Sequence, residues 1–262
     1  MRLEVIRPHG FCAGVRAAIA RAAALSDVYC LHELVHNELV IAGLRERGFR
    51  FVDDVREIPE GATVVFSAHG VAPAVRSLAE ARHLHVIDTT CPFVARVHRA
   101  AQEFSARGLP VVVIGDAGHA EVKGILGELN DAYVYPDLPS AAHIGVVSQT
   151  TMNAGEVRRI VDELKLRFEV ESMAEVCTAT QERQDAVRAF DGDALVVLGG
   201  RNSANTRRLC EIARCPAFMA SDLDEVRRLK SELPADGRVG VTSGASTPEE
   251  FFDAAVKLLA EA

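Results

Sequence analysis

No stretch of this sequence approaches the roughly 20 consecutive apolar residues that cross a bilayer. The opening Met1-Arg2-Leu3-Glu4-Val5-Ile6-Arg7 also lacks the apolar core of a secretion signal. The expectation is a protein that is neither exported nor membrane-embedded, and therefore cytoplasmic. Blocks of lysine and arginine interleaved with aromatic rings are missing too. With a net charge of -8, the footprint of a nucleic-acid binder is absent, and any anionic ligand must be held by local groups. Neither G-x-x-x-x-G-K-[ST] nor G-x-G-x-x-G after a strand occurs, which removes the P-loop and dinucleotide-binding classes. The six cysteines contain no C-x-x-C spacing, so the local signature of a ferredoxin-type cluster is lacking. In a reducing compartment, scattered cysteines are more often buried, catalytic or metal-bound than paired, and no disulfide framework is expected.

What is present is an apolar fraction of 48% over 262 residues, enough for one large core or two to three small ones. Short β-branched runs recur: Ala62-Thr63-Val64-Val65-Phe66, Pro110-Val111-Val112-Val113-Ile114, Ala194-Leu195-Val196-Val197-Leu198 and Arg238-Val239-Gly240-Val241-Thr242. Between them lie apolar residues at helical spacing, such as Val157, Ile160, Val161 and Leu164, or Phe251, Phe252, Ala255, Val256 and Leu259. Strands alternating with helices indicate parallel α/β structure, and no low-complexity stretch or long linker interrupts the series.

A repeat of arrangement, without identity, runs through the chain. Cys12, Cys91 and Cys177 are 79 and 86 residues apart. Each follows a candidate strand (Leu3 to Ile6, Leu84 to Asp88, Phe168 to Ser172) and precedes a helix. A polar loop residue follows each at +24 to +28: His36, His119 and Ser203. Another follows at +57 to +69: His69, Thr150 and Ser246. Three units of about 85 residues are implied, arranged with pseudo-threefold symmetry: 10–91, 92–176 and 177–262, the last completed by the N-terminal strand within 1–9. Ligands of parallel sheets sit beyond the carboxyl ends of the strands, so the nine loops could face one cavity.

The three cysteines share a position before a helix, where the helix start favours the thiolate. Three thiolates on a cubane iron-sulfur cluster leave one iron free. Cys30 falls in an apolar strand, and Cys210 and Cys215, five apart at a helix end, are poorly placed as a ligand pair. His32-Glu33-Leu34-Val35-His36 fits the zinc motif H-E-x-x-H, which requires a helix. Here Tyr29 to Val35 reads as a strand, with Asn37 capping a helix over Glu38 to Arg47 that stops at Gly48. Ser67-Ala68-His69-Gly70, Gly115 to Glu121 and Gly199 to Asn205 each follow an apolar strand and open a helix, where free N–H groups can bind phosphate. Singly, each is also ordinary α/β turn chemistry. Glu121, at a helix start, is either a helix-dipole partner or a proton donor.

These residues resemble the 4-hydroxy-3-methylbut-2-enyl diphosphate reductase family. The matching stretches are Pro8-His9-Gly10-Phe11-Cys12-Ala13-Gly14-Val15, Glu33-Leu34-Val35-His36-Asn37, Phe66-Ser67-Ala68-His69-Gly70-Val71 and Asp88-Thr89-Thr90-Cys91-Pro92. They continue with Gly118-His119-Ala120-Glu121-Val122, Ser148-Gln149-Thr150-Thr151, Cys177-Thr178-Ala179-Thr180, Asn202-Ser203-Ala204-Asn205 and Gly244-Ala245-Ser246. The resemblance implies a cloverleaf of three α/β domains around a [4Fe-4S] cluster on Cys12, Cys91 and Cys177, with the fourth iron open to the substrate. It implies a diphosphate held by His36, His69, His119, Thr150, Ser203, Asn205 and Ser246, and proton delivery by Glu121 through or beside Thr150. Ala204 stands where the family commonly has a second serine, so its backbone N–H replaces a hydroxyl in that set. The implied reaction removes an allylic hydroxyl as water with two electrons and two protons, giving isopentenyl and dimethylallyl diphosphates. With no flavin or nicotinamide motif, the implied electron donor is external, such as a ferredoxin or flavodoxin. Two other classes compete on residues alone: an iron-sulfur redox sensor on the three thiols, and a zinc hydrolase on His32 and His36.

Overall fold

A computed structural model describes residues 1–261. The chain opens with β1 (Arg2–Val5) and α1 (Ala13–Ala23). Next come β2 (Tyr29–Leu31), α2 (Glu38–Glu46), β3 (Arg50–Val52), β4 (Thr63–Phe66), α3 (Pro73–Ala81) and β5 (His85–Asp88). The middle third holds α4 (Pro92–Ala106), β6 (Val111–Ile114), α5 (Ala120–Leu126), β7 (Ala132–Val134), β8 (His143–Ser148), α6 (Ala154–Lys165) and β9 (Glu169–Met173). The last third holds α7 (Thr178–Ala189), β10 (Ala194–Leu198), α8 (Ala204–Glu211), β11 (Ala217–Ala220), α9 (Leu223–Lys230), β12 (Arg238–Ser243) and α10 (Glu249–Ala260).

The strands form three four-stranded sheets, in the orders β3-β2-β4-β5, β7-β6-β8-β9 and β11-β10-β12-β1, with every pairing parallel. Numbered within each sheet, the order is 2-1-3-4 three times. In the third sheet the fourth place is taken by the N-terminal strand, which pairs with β12 from Arg2 opposite Arg238 to Val5 opposite Val241. By internal contacts the chain divides into two compact units. The first is Met1–Arg16, Val35–Gly43 and Thr178–Ala262; the second is Ala17–Leu34 and Leu44–Cys177. The expected domains 10–91 and 92–176 thus share the second unit, apart from 10–16 and 35–43.

The continuous apolar runs are explained by burial on both faces of a sheet. In the first unit, Val196 and Leu198 point to a core with Val226, Phe251, Phe252, Ala255 and Leu259, while Leu195 and Val197 point to one with Ile6, Val187, Phe190 and Leu209. In the second unit, Val112 and Ile114 pack on Val157, Ile160, Val161 and Leu164, and Val111 and Val113 pack on Val97, Ala101, Phe104, Val122 and Ile125. Each such side chain contributes roughly 1.5–3 kcal/mol when fully buried. Among the described residues no helix is long and apolar enough to cross a membrane.

Local signals are largely obeyed. The Asn37 side chain accepts from the N–H groups of Leu39 and Val40 at 3.1 and 3.3 Å and caps α2. The helix ends one residue short of the expected Arg47, and Gly48 follows at φ +85, a conformation in which a Cβ is strained. One expectation is corrected: the strand read over Tyr29 to Val35 stops at Leu31, because His32 takes φ +58 and leaves the extended region.

Candidate active site

In each sheet three of the four strands deliver a predicted residue just past their carboxyl ends. Strands β2, β4 and β5 lead to His36, His69 and Cys91; β6, β8 and β9 to His119, Thr150 and Cys177; β10, β12 and β1 to Ser203, Ser246 and Cys12. Parallel strands place all their carboxyl ends on one edge, so chain order alone sorts these residues onto equivalent positions. Cys12 directly precedes α1, Cys91 caps α4 and Cys177 directly precedes α7. Each cysteine also donates its backbone N–H at 3.0 Å to a carbonyl in the neighbouring strand's loop: Cys12 to Ala245 and Cys91 to Ala68, each just before the polar residue, and Cys177 to Thr150, the polar residue itself.

The second unit holds the acid. Glu121 lies in the first turn of α5 and is 1% exposed. Its Oε1 accepts the Thr150 N–H at 2.8 Å and its Oε2 accepts the Thr150 hydroxyl at 3.0 Å. Burial pushes its pKa up to about 7, against the lowering effect of the two Thr150 bonds. A carboxyl group neutral near pH 7 is a competent proton donor. His119 caps the same helix, its Nδ1 accepting the Glu121 N–H at 3.2 Å. That bond leaves Nε2 as the nitrogen that carries the ring hydrogen. The His69 ring meets His119 edge-on with centroids 5.5 Å apart, and its Nδ1 lies 3.3 Å from the Ser67 hydroxyl. Ahead of Cys91, Asp88 accepts from the Thr90 N–H at 2.9 Å and from Arg76 at 2.6 Å. Burial works against ionisation there, yet the Thr90 bonds and Arg76 hold the carboxyl below its usual range.

The first unit holds Cys12, His36, Ser203, Ala204, Asn205 and Ser246. Ser203 caps α8, accepting the Thr206 N–H at 3.3 Å, and Ala204 is the first helical residue. Asn205 is buried, its Oδ1 accepting the Ala245 N–H at 3.0 Å and its Nδ2 reaching the Thr180 hydroxyl at 3.4 Å. The Ser246 hydroxyl donates to the His36 carbonyl at 3.2 Å.

None of the six cysteines is in a disulfide, and Cys12, Cys91 and Cys177 are half-buried. The Val15 N–H points at Cys12 Sγ at 3.4 Å, the contact a helix start offers a thiolate. Burial pushes Cys30 up to about 12 and Cys210 up to about 11, and also raises Cys215. At these three, burial works against the thiolate, the form in which cysteine binds a cluster. The H-E-x-x-H stretch lies in the loop between β2 and α2, so it lacks the helix that sets both histidines on one face.

Reasoning from sequence gave no role to Gln149, which is 1% exposed. Its Oε1 accepts the Asp116 N–H at 3.0 Å and its Nε2 donates to the Thr151 hydroxyl at 2.7 Å, bracing the His119 loop. Its signal was present in the Ser148-Gln149-Thr150-Thr151 stretch. Arg183 was also passed over, and nothing in its helical context marks it.

Three parallel sheets of one topology, with thiols, imidazoles and a buried acid past strand carboxyl ends, define a parallel α/β protein whose sheets carry reactive side chains at the edge where such folds bind ligands. The LytB protein family profile matches residues 3–260. The chain belongs to that family. Curated relatives named 4-hydroxy-3-methylbut-2-enyl diphosphate reductase include one from Aromatoleum aromaticum, 41% identical over 97% of this chain and 88% of its own length. Another, from Rhodopirellula baltica, is 37% identical over 100% of this chain and 88% of its own. Among solved structures, the E-1-hydroxy-2-methyl-but-2-enyl-4-diphosphate reductase of Plasmodium falciparum matches with a TM-score of 0.92 and 29% identity, covering 99% of this chain and 88% of that one.

Proposed function

We propose that this chain reduces (E)-4-hydroxy-3-methylbut-2-enyl diphosphate to isopentenyl and dimethylallyl diphosphates, the last step of the non-mevalonate isoprenoid pathway. The reaction consumes two electrons and two protons and releases the allylic hydroxyl as water. Membership in the family supports this reading, and so do the names of relatives spanning nearly the whole chain. A solved structure of a 4-hydroxy-3-methyl-but-2-enyl diphosphate reductase described as the terminal enzyme of that pathway is 30% identical, with a TM-score of 0.69 and 99% coverage of both chains.

Cys12, Cys91 and Cys177 would hold a [4Fe-4S] cluster, which supplies electrons one at a time and an open Lewis-acid iron. The chain's own groups do the rest. Glu121 holds a proton up to about pH 7 and Thr150 fixes both its oxygens, so the acid is aimed without reorganisation. His36, His69, His119, Ser203, the Ala204 N–H, Asn205, Thr150 and Ser246 would bind the diphosphate, a set with no lysine block, as the net charge of -8 requires. The observation that carries the reading is the buried Glu121–Thr150 pair beside the Cys177 loop, whose N–H is held by the Thr150 carbonyl. The working site is the cytoplasm, and electrons come from a small external carrier such as a ferredoxin or flavodoxin.

Anaerobic purification with iron and sulfide analysis, followed by turnover of the allylic diphosphate with a reduced dye, tests this. The expected result is about four irons per chain and release of both five-carbon diphosphates. A colourless protein without iron, or an iron-loaded one without turnover, would refute it.

A further inference from the structure

The Cys12 loop is held from an unexpected quarter. Arg183 lies on α7, the helix that begins one residue after Cys177, and is 3% exposed. Its Nη1 donates to the Ala179 carbonyl of its own helix at 2.9 Å, and its Nη2 donates to the Gly10 carbonyl at 2.8 Å. Gly10 takes φ +73, and its N–H donates to the Ser243 hydroxyl at 2.8 Å. A Cβ there would come 3.0 Å from the Glu249 Cγ. The turn is therefore committed to glycine and presents its carbonyl to the guanidinium. Two residues on, at most about 7 Å away along the backbone, is Cys12, whose own N–H is tied to Ala245.

A neutral amide could donate to the Gly10 carbonyl equally well. Arginine brings something more, a charge that is never lost, and burying a charge is costly. Its field is felt nearby: the His9 ring, stacked on Phe252 with centroids 3.8 Å apart, is pushed down by burial, by Arg7 and by Arg183, against Asp253 and Glu249. A fixed cation in a weakly screened interior favours any neighbouring state that gains negative charge, which a cluster does on accepting an electron.

We propose that Arg183 is a positioning residue that fixes the Cys12 loop and places a permanent positive charge behind Cys12, raising the reduction potential of the cluster. This rests on the proposed function, since it needs a cluster on Cys12. The test compares wild type, Arg183→Gln and Arg183→Lys, each reconstituted anaerobically. Iron content and thermal unfolding check the state of the protein, and a reductive titration followed by electron paramagnetic resonance gives the midpoint potential. Arg183→Gln is expected to keep its iron and show a lower midpoint, and Arg183→Lys to match wild type. Three results would overturn the proposal: Arg183→Gln with the wild-type midpoint, Arg183→Lys lowered as far as Arg183→Gln, or Arg183→Gln unable to hold iron. In that last case Arg183 would build the loop without tuning it. Wild-type protein without iron would refute the proposed function itself, whereas the other three results concern Arg183 alone.

Discussion

Replacing Glu121 with glutamine separates the acid's chemistry from its packing. The side chain keeps its shape, its remaining oxygen can accept the Thr150 N–H, and its amide can donate to the Thr150 hydroxyl once that hydroxyl turns. What disappears is the proton equilibrium. The carboxyl's pKa rises from 4.5 to about 7 on folding because the group is fully buried, and at roughly 1.4 kcal/mol per tenfold change in proton affinity this is worth about 3 kcal/mol. Between those two pH values the folded chain binds more protons than the unfolded chain, so Glu121 lowers stability as pH climbs through the window, and the full cost is present above about pH 7. Glutamine carries no such cost at any pH. Glu121→Gln should therefore match wild type near pH 4.5 and exceed it by up to about 3 kcal/mol at pH 8, measured as urea unfolding of both proteins across that range. The same variant should retain iron and lose turnover, and the wild-type rate should fall above about pH 7 as the acid deprotonates. A stability gap flat with pH, or turnover at the wild-type rate in the variant, would refute the reasoning.

Three further outcomes follow from the same geometry. Thr150→Val removes one of the two bonds that lower the Glu121 pKa, so the alkaline limb of the pH–rate profile should move to higher pH while the rate falls; a downward move would contradict the assignment. Cys91→Ser should lose most of its iron by colorimetric assay, whereas Cys30→Ser, at a thiol that burial keeps protonated, should keep it; equal iron in both would remove Cys91 from the ligand set. Gly70→Ala places a side chain at φ +75 with its Cβ 2.9 Å from the His98 Nε2. It should cost at least about 1–2 kcal/mol in urea unfolding and raise KM through the adjoining His69, and an unchanged unfolding midpoint would show that the loop yields freely.

Much of the fold was legible because parallel sheets buried on both faces require what local sequence can display: unbroken β-branched runs, helical apolar spacing and cap residues such as Asn37. Strand ends were less so. His32 carries no local warning that it will leave the extended region, and the strand expected through Val35 ends at Leu31. The thiols could be grouped by their phase relative to strands and helices, since that phase is a property of chain order. The raised pKa values of Cys30 and Cys210 could not be read that way, because they come from burial in the folded chain.

The order of residues alone carried the three parallel α/β units, with the N-terminal strand completing the last, grouped the three cysteines by their phase and pointed to the family. Connectivity and periodicity are local and survive without coordinates. Folding decided which groups the interior changes: Glu121 becomes an acid near neutrality because the folded chain buries it completely, against the lowering effect of its bonds from Thr150, 29 residues away. Arg183 becomes part of the Cys12 loop because a carbonyl 173 residues distant accepts a hydrogen bond from its guanidinium. Desolvation and long-range hydrogen bonds exist only once the chain has closed on itself.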